Sequence, residues 1–331
     1  MEIKNVIGID VGKLNNEARI HTNQKTLKFK NTQEGFVKLE KWVFKNTVFS
    51  KEQIIFAFEH TGLYSHPLSV YLSEKEYQFI LIPGLELKRS LGIVRGKNDK
   101  IDAKRIALYT YEKREKVKPY QMPQDDVIQI KRLLSLRTKL VAHRAGYKST
   151  LGEYKHFLKK KENKMLFNVH EKMINELTKQ IDKVEKELDD IIKGNKQLKE
   201  MYNLIISVKS IGSQTALFLI AYTNGFTRFK TWRKLASYSG IAPFPYSSGI
   251  SIRGRTKVNH LANKKLKTLL DLCAKSAIQY NAEMKQYYEK RVNEGKSKMS
   301  TINIIRNKLL SRVFAVVQRK TPYVDINKYV A

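Results

Sequence analysis

The chain has 331 residues, 42% of them hydrophobic and 10% aromatic, enough for two or three domains with buried cores. Lys and Arg number 63 against 31 Asp and Glu, a formal net charge of +32, and such an excess is best explained by a polyanionic partner. A single cysteine, Cys273, excludes an internal disulfide and a multi-cysteine zinc site, and no run approaches the roughly 20 apolar residues that span a bilayer. With no N-terminal signal pattern either, the expectation is a soluble cytoplasmic protein with no membrane partner.

In chain order, Val6-Ile7-Gly8-Ile9-Asp10-Val11 reads as a buried strand with an acid at its end. Two β-rich runs, 16–22 and 26–30, flank Asn23-Gln24 as a predicted hairpin, and 35–44 has helical spacing. A second buried strand, 53–58, ends on Glu59-His60-Thr61-Gly62. A helix at 67–76, a strand at 78–82 stopped by Pro83-Gly84 and a short helix at 85–91 follow. In the next stretch, 96–105, Asp99 and Asp102 are three apart and so share one helix face, with Ile101, Ile106 and Leu108 on an apolar side. Lys97, Lys100, Lys104 and Arg105 only partly offset the repulsion between the two carboxylates. The order of three strands, helix, strand, helix, strand and helices predicts an α/β mixed-sheet domain over 1–115 with an RNase H-like strand order. Asp10, Glu59, Asp99 and Asp102 would then meet at one sheet edge, a candidate cage for one or two divalent cations serving in-line attack on a phosphodiester. Taken singly, each acid has a plainer reading as a turn residue or part of a solvated face.

Residues 116–200 change texture. The run 127–158 is helical and basic, and in the next helix Ile174, Leu177, Ile181, Val184, Leu188 and Ile191 are spaced as an a/d seam up to Gly194-Asn195. This predicts a helical hairpin or coiled coil, with an intramolecular bundle and dimerisation equally open. Residues 201–331 read as mainly helical. Around Lys209 and Gly212 two helical runs joined by Ser210-Ile211-Gly212 look like a helix-hairpin-helix whose turn amides can hold a phosphate. Basic and aromatic residues then interleave at 226–238, including Arg228, Lys230, Arg233 and Lys234. A glycine- and serine-rich loop at 240–257 carries Arg253, Arg255 and Lys257, and a serine there could attack a phosphate, although a plain polar loop is the simpler reading. Helices are predicted at 259–273, 277–288 and 301–318.

Three segments together resemble the metal-binding motifs of the DEDD transposases of bacterial insertion sequences: Ile9-Asp10-Val11-Gly12-Lys13, Glu59-His60-Thr61-Gly62 and Asn98-Asp99-Lys100-Ile101-Asp102-Ala103. Downstream, Ser210-Ile211-Gly212, the stretch 228–240, Ser248-Gly249, Arg253-Gly254, Asn263 and Leu266-Lys267 are similar to that family's C-terminal domain. The resemblance spans about residues 8–318. It implies a RuvC-like N-terminal domain, a coiled-coil middle and a helical C-terminal domain. It also implies Mg²⁺, with Mn²⁺ as a substitute, on Asp10, Glu59, Asp99 and Asp102, and a serine nucleophile at Ser248, with Ser247 the second choice. The partners it implies are donor and target double-stranded DNA, a noncoding bridge RNA, and further copies of the chain in dimers assembling to tetramers. Ala262 and Lys267 stand where the family pattern usually has Gly and Arg, and Ser210 replaces a usual hairpin glycine. The expectation is therefore an RNA-guided recombinase-transposase associated with the nucleoid. A RuvC-like junction endonuclease that uses water, and a nucleic-acid-binding protein without catalysis, are the alternatives.

Overall fold

The computed structural model describes residues 2–90, 98–249 and 251–324, and for Ile252 and Arg253 the backbone alone. Residues 91, 96 and 97, which fall within stretches read above, and the side chain of Arg253 lie outside the described residues. The chain divides into two compact units, 1–122 and 123–331.

In the first unit the described strands are β1 (Asn5–Val11), β2 (Asn15–Ile20), β3 (Thr26–Lys30), β4 (Ile54–Glu59) and β5 (Phe79–Ile82), in one sheet of order β3-β2-β1-β4-β5. The β1–β2 and β2–β3 pairs are antiparallel, and the β1–β4 and β4–β5 pairs are parallel. Gln24, at φ +62, turns the β2–β3 hairpin where the Asn23-Gln24 pair predicts it. This topology is consistent with an RNase H-like fold. Its helices are α1 (Gln33–Lys45), α2 (His66–Glu74), α3 (Gly84–Ser90) and α4 (Asp99–Glu112).

β1 is central and covered on both faces, which is why its sequence is almost uninterrupted apolar residues. Its alternate side chains enter different cores. Ile7, Ile9 and Val11 pack with Phe36 and Leu39 of α1 and Leu68 and Leu72 of α2. Val6 packs on the other face with Ile55, Ala57 and Ile80 and with Ile106 and Tyr109 of α4. Leu108 does not join that apolar side. It is exposed, because Ala103, Ile106, Ala107 and Thr110 form the stripe that faces the sheet.

The second unit is mainly helical. α5 (Asp125–Phe157) and α6 (Lys164–Gly194) lie antiparallel, joined by an Arg137–Glu185 ion pair at 2.6 Å and an Arg144–Thr178 hydrogen bond at 3.2 Å. On α6 the buried stripe is Phe167, Leu177, Ile181, Val184, Leu188 and Ile192. Ile192, four residues after Leu188, is buried, while Ile191, expected in the seam, packs partly buried against the same core. The stripe thus follows the straight-helix period at its end and departs from a strict heptad. Val184, Leu188 and Ile192 share a core with Val127, Ile130 and Leu134 of α5.

α7 (Lys196–Ser207) and α8 (Ser213–Thr223) follow, and α8 is buried on nearly every side, as a central helix must be. α9 (Trp232–Tyr238) leads to an antiparallel hairpin of β6 (Pro243–Ser248) and β7 (Ile252–Val258). The predicted serine loop is therefore a two-stranded element. α10 (Lys264–Tyr280), α11 (Ala282–Asn293) and α12 (Lys298–Arg319) complete the unit. The break falls at Asn281, not between 273 and 277, and Asn281 caps α11 by accepting from the Met284 amide. No described helix is long and apolar enough to cross a membrane.

Candidate active site and nucleic-acid surface

Asp10 is the last but one residue of β1 and Glu59 the last of β4. The parallel register pairs Ile9 with Phe58, so the two acids stand one step further along neighbouring strands, where strands are about 4.8 Å apart. Both lie on the face that carries Val6, Gly8, Ile55 and Ala57, the face covered by α4.

α4 reaches that face because Gly8 has no side chain. A Cβ there would come within 2.4 Å of both the Ala103 carbonyl oxygen and the Ala107 nitrogen. The helix direction follows from its far end, where the Tyr111 ring stacks on His21 at 4.0 Å while the His21 amide donates to the Val6 carbonyl. The C-terminal end of α4 thus lies beside Val6, and its first turn, bearing Asp99 and Asp102, lies toward Asp10. Asn98 starts that turn by accepting from the Ile101 amide at 2.8 Å, and carboxylates suit the positive end of a helix. The structure therefore brings Asp10, Glu59 and the first turn of α4 to one edge of the sheet.

The side chains do not close into a cage. Among the described residues no group of three or more Asp, Glu, His or Cys side chains is placed to hold a metal ion. Asp99 is exposed, and Asp102 is tied to Arg105 at 2.9 Å. Glu59 rests against Gly84, where a Cβ would come within 2.1 Å of its Oε1. Nearby, the Thr61 hydroxyl is buried without a hydrogen-bond partner among the described residues. The donor set is all carboxylate oxygen, which fits a hard divalent cation in chemistry if not yet in side-chain arrangement. One acid escapes the sequence reading. Glu17 of β2 pairs directly with Asp10 across the β1–β2 ladder.

In the second unit, Ser248 closes β6 and pairs with Ile252, Ser247 pairs with Arg253, and Gly249 turns at φ +54. All of β6 is exposed, Ser247 and Ser248 included, as are Arg255 and Lys257 of β7. Tyr246, 69% exposed, adds an aromatic face to this basic hairpin, a combination suited to bases and phosphates that the sequence reading passed over.

Lys209 and Gly212 are exposed around the turn between α7 and α8, in which Ser210 adopts φ +73, the conformation a glycine takes without strain. Lys230, Arg233 and Lys234 are exposed on or next to α9. Arg228 stacks on the rings of Tyr238, at 4.6 Å, and Phe229, at 5.3 Å. Lys131 of α5, unremarked in the sequence, sits 5.6 Å over the Tyr222 ring. Burial, then the Arg228 guanidinium, pull its ammonium below the ordinary lysine range. Neither cation forms an ion pair with an acid among the described residues. Asn263 is engaged otherwise. Its side chain caps α10, accepting from the Leu266 amide at 3.0 Å and donating to the Tyr238 hydroxyl at 3.3 Å.

Comparison with known proteins bears on both units. A family model described as "Transposase", of the DEDD type named for IS110, matches residues 7–154, and one described as "Transposase IS116/IS110/IS902 family" matches 202–289. The chain is 26% identical to the pilin gene-inverting proteins of Moraxella lacunata and Moraxella bovis, over 97% of this chain and 98% of each of theirs. It is 29% identical over 36% of its length to an uncharacterized 43.6 kDa protein of insertion element IS110 from Streptomyces coelicolor, of which that covers 29%. The two models span the carboxylate edge and the helical core of the second unit, and the chain belongs to the IS110/IS116/IS902 family of transposases, enzymes that act on DNA.

Proposed function

We propose that this transposase cuts and rejoins DNA strands through Ser248, with Asp10, Glu59, Asp99 and Asp102 holding Mg²⁺. The observation that carries the reading is the meeting of two strand-end acids and the acidic first turn of α4 at one sheet edge. Exposure of Ser248 at the tip of a basic hairpin supports its role as nucleophile. The two near full-length relatives are named for inverting a gene, a rearrangement that needs strands rejoined as well as cut.

In the cutting step the Ser248 Oγ attacks the phosphorus, the bond from phosphorus to the 3′-oxygen breaks, and the serine proton ends on that leaving oxygen. The product is a 5′-phosphoserine and a free 3′-hydroxyl. Attack by the 3′-hydroxyl of another strand breaks the Ser248–phosphorus bond and restores the serine. A bound divalent cation would supply charge neutralisation at the phosphate. Arg255 and Lys257, on the strand after Ser248, hold the DNA backbone, and the Arg228–Lys131 pair receives a further phosphate. Target choice rests on a bridge RNA, and the full reaction on an assembly of copies, as the family resemblance implies.

The test is to incubate the protein with Mg²⁺ and DNA carrying element ends, denature, and look for protein-linked DNA. Adduct with the wild type and none with Ser248→Ala is expected. Cleavage that survives Ser248→Ala without adduct would favour a hydrolase using water. Loss of strand exchange on removing RNA is expected, and equal exchange by RNA-free protein would refute the guided reading.

A further inference from the structure

The hairpin that carries Ser248 is held at its root. Every residue of β6 is exposed, and so are residues 254–257 of β7, so the helices of the unit do not bury it. An unburied two-stranded hairpin takes its direction from the place where the chain leaves the body of the unit. That place is the peptide between Ile241 and Ala242. The Ala242 amide donates to the Ala236 carbonyl of α9 at 3.3 Å, and the Ile241 amide donates to the same oxygen at 3.0 Å. On the other side the Ile241 carbonyl accepts from two α12 side chains, Asn303 Nδ2 at 2.9 Å and Asn307 Nδ2 at 3.0 Å. A peptide unit is planar, so holding both its N–H and its C=O fixes its orientation, and Pro243, with its locked φ, passes that orientation into β6. The two asparagines are themselves oriented. Asn307 Nδ2 also donates to the Asn303 carbonyl at 2.8 Å, and Asn303 Oδ1 accepts from Arg306 at 3.3 Å. Arg306 is buried and paired with Asp271 of α10. The returning chain is tied separately, by the Asn263 amide donating to the Tyr238 carbonyl at 2.8 Å.

We propose that Asn303 and Asn307 are positioning residues for Ser248, which they aim by holding the Ile241 peptide. This rests on the reading of Ser248 as the nucleophile and extends its machinery to α12. Ser248 follows Ile241 along β6 by up to about 24 Å, so a tilt of about 5° at the root moves its hydroxyl by about 2 Å. Misplacement by about 1 Å can cost about 100-fold in rate. A merely structural clamp would lower stability and leave the reaction of the folded protein alone, whereas a positioning clamp slows the reaction without weakening DNA binding.

The experiment compares the full chain with its Asn303→Ala/Asn307→Ala and Asn303→Asp/Asn307→Asp double variants, the second keeping side-chain shape without the donors. Spin labels on Thr256→Cys in β7 and Tyr280→Cys in α10, both exposed positions, read the direction of the hairpin by double electron–electron resonance, since Cys273 is buried. Single-turnover formation of protein-linked DNA with Mg²⁺ and element-end DNA reads the chemistry. Expected for both variants, well below their melting temperatures, are a broader label distance distribution than in wild type, adduct formation slower by about 10-fold or more at saturating DNA, and a half-saturating DNA concentration within about twofold of wild type. A distribution as narrow as in wild type, an unchanged rate in a folded variant, or a loss of rate matched by a loss of DNA binding would overturn the proposal. If the double variants do not fold, the single Asn303→Ala and Asn307→Ala proteins, each keeping one donor, face the same criteria. Adduct formed equally by Ser248→Ala would sink the nucleophile reading and the proposal with it, whereas a strict need for Ser248 with unaffected asparagine variants would sink the clamp alone.

Discussion

Gly8→Ala should separate the carboxylates without touching one of them. The new Cβ would lie 2.4 Å from two backbone atoms of α4 and 2.7 Å from the Ala107 Cβ, and none of these is the end of a flexible side chain. Ordinary contact begins near 3.4–3.5 Å, so α4 must retreat by about 1 Å or β1 must deform. Overpacking of this kind costs about 1–3 kcal/mol, and at about 3 °C per kcal/mol the first unit should melt roughly 3–9 °C lower. The larger effect is on chemistry. Asp99 and Asp102 ride on the displaced helix while Asp10 stays on the strand, and misplacement by about 1 Å can cost about 100-fold in rate. Strand exchange on element-end DNA, measured well below the melting temperature of the variant, reads that loss. Near wild-type exchange by a folded Gly8→Ala protein would show that the packing of α4 on β1 does not set the site.

The other predictions concern particular contacts. Gly84→Ala should displace the Glu59 carboxylate, which its Cβ would meet at 2.1 Å, and reduce strand cleavage at least tenfold while costing less stability than Gly8→Ala. Equal cleavage by the variant would remove Glu59 from the site. Asn263→Ala should lower stability by about 1 kcal/mol through the lost α10 cap, whereas Asn263→Asp, which can still accept from the Leu266 amide, should retain most of it. If both variants instead keep full stability and bind DNA more weakly, Asn263 acts on nucleic acid. Burial alone would raise Glu40, but hydrogen bonds from Tyr71 and Tyr77, with Lys75 and Lys51, hold it below the usual carboxylate range. Its stabilisation is then complete above pH of about 4.5 and lost as pH falls through the depressed folded value. Denaturation midpoints from pH 7 down to about pH 3 should show that loss in the wild type and a shallower one in Glu40→Gln, and identical profiles would refute the coupling.

Much of the first unit was legible because its signals are local. Buried strands appear as apolar runs in 6–11 and 54–58, and acids at their ends stand out against them. What was not legible depends on pairing. Glu17 lies in a polar stretch, Asn15-Asn16-Glu17, and its place opposite Asp10 appears only in the strand register. The 243–258 hairpin carries no burial pattern, since every residue of β6 is exposed, so its prolines, serines and glycines read as a loop. Ile191 and Ile192 cannot be told apart by a heptad count, because a straight helix drifts against the 3.5-residue period over the length of α6. Asn263 was visible as an N-cap just before Lys264, but a helix begun at 259 hid it.

The most direct test of the account is to locate the covalent bond. Reaction of the wild-type protein with Mg²⁺, bridge RNA and element-end DNA, followed by denaturation, nuclease and protease digestion and mass spectrometry of the linked peptide, should find a 5′-phosphate on Ser248. The adduct should be absent from Asp10→Asn and Asp102→Asn proteins. Strand exchange proceeding with no protein–DNA adduct, or with the phosphate on a residue other than Ser248, would contradict it.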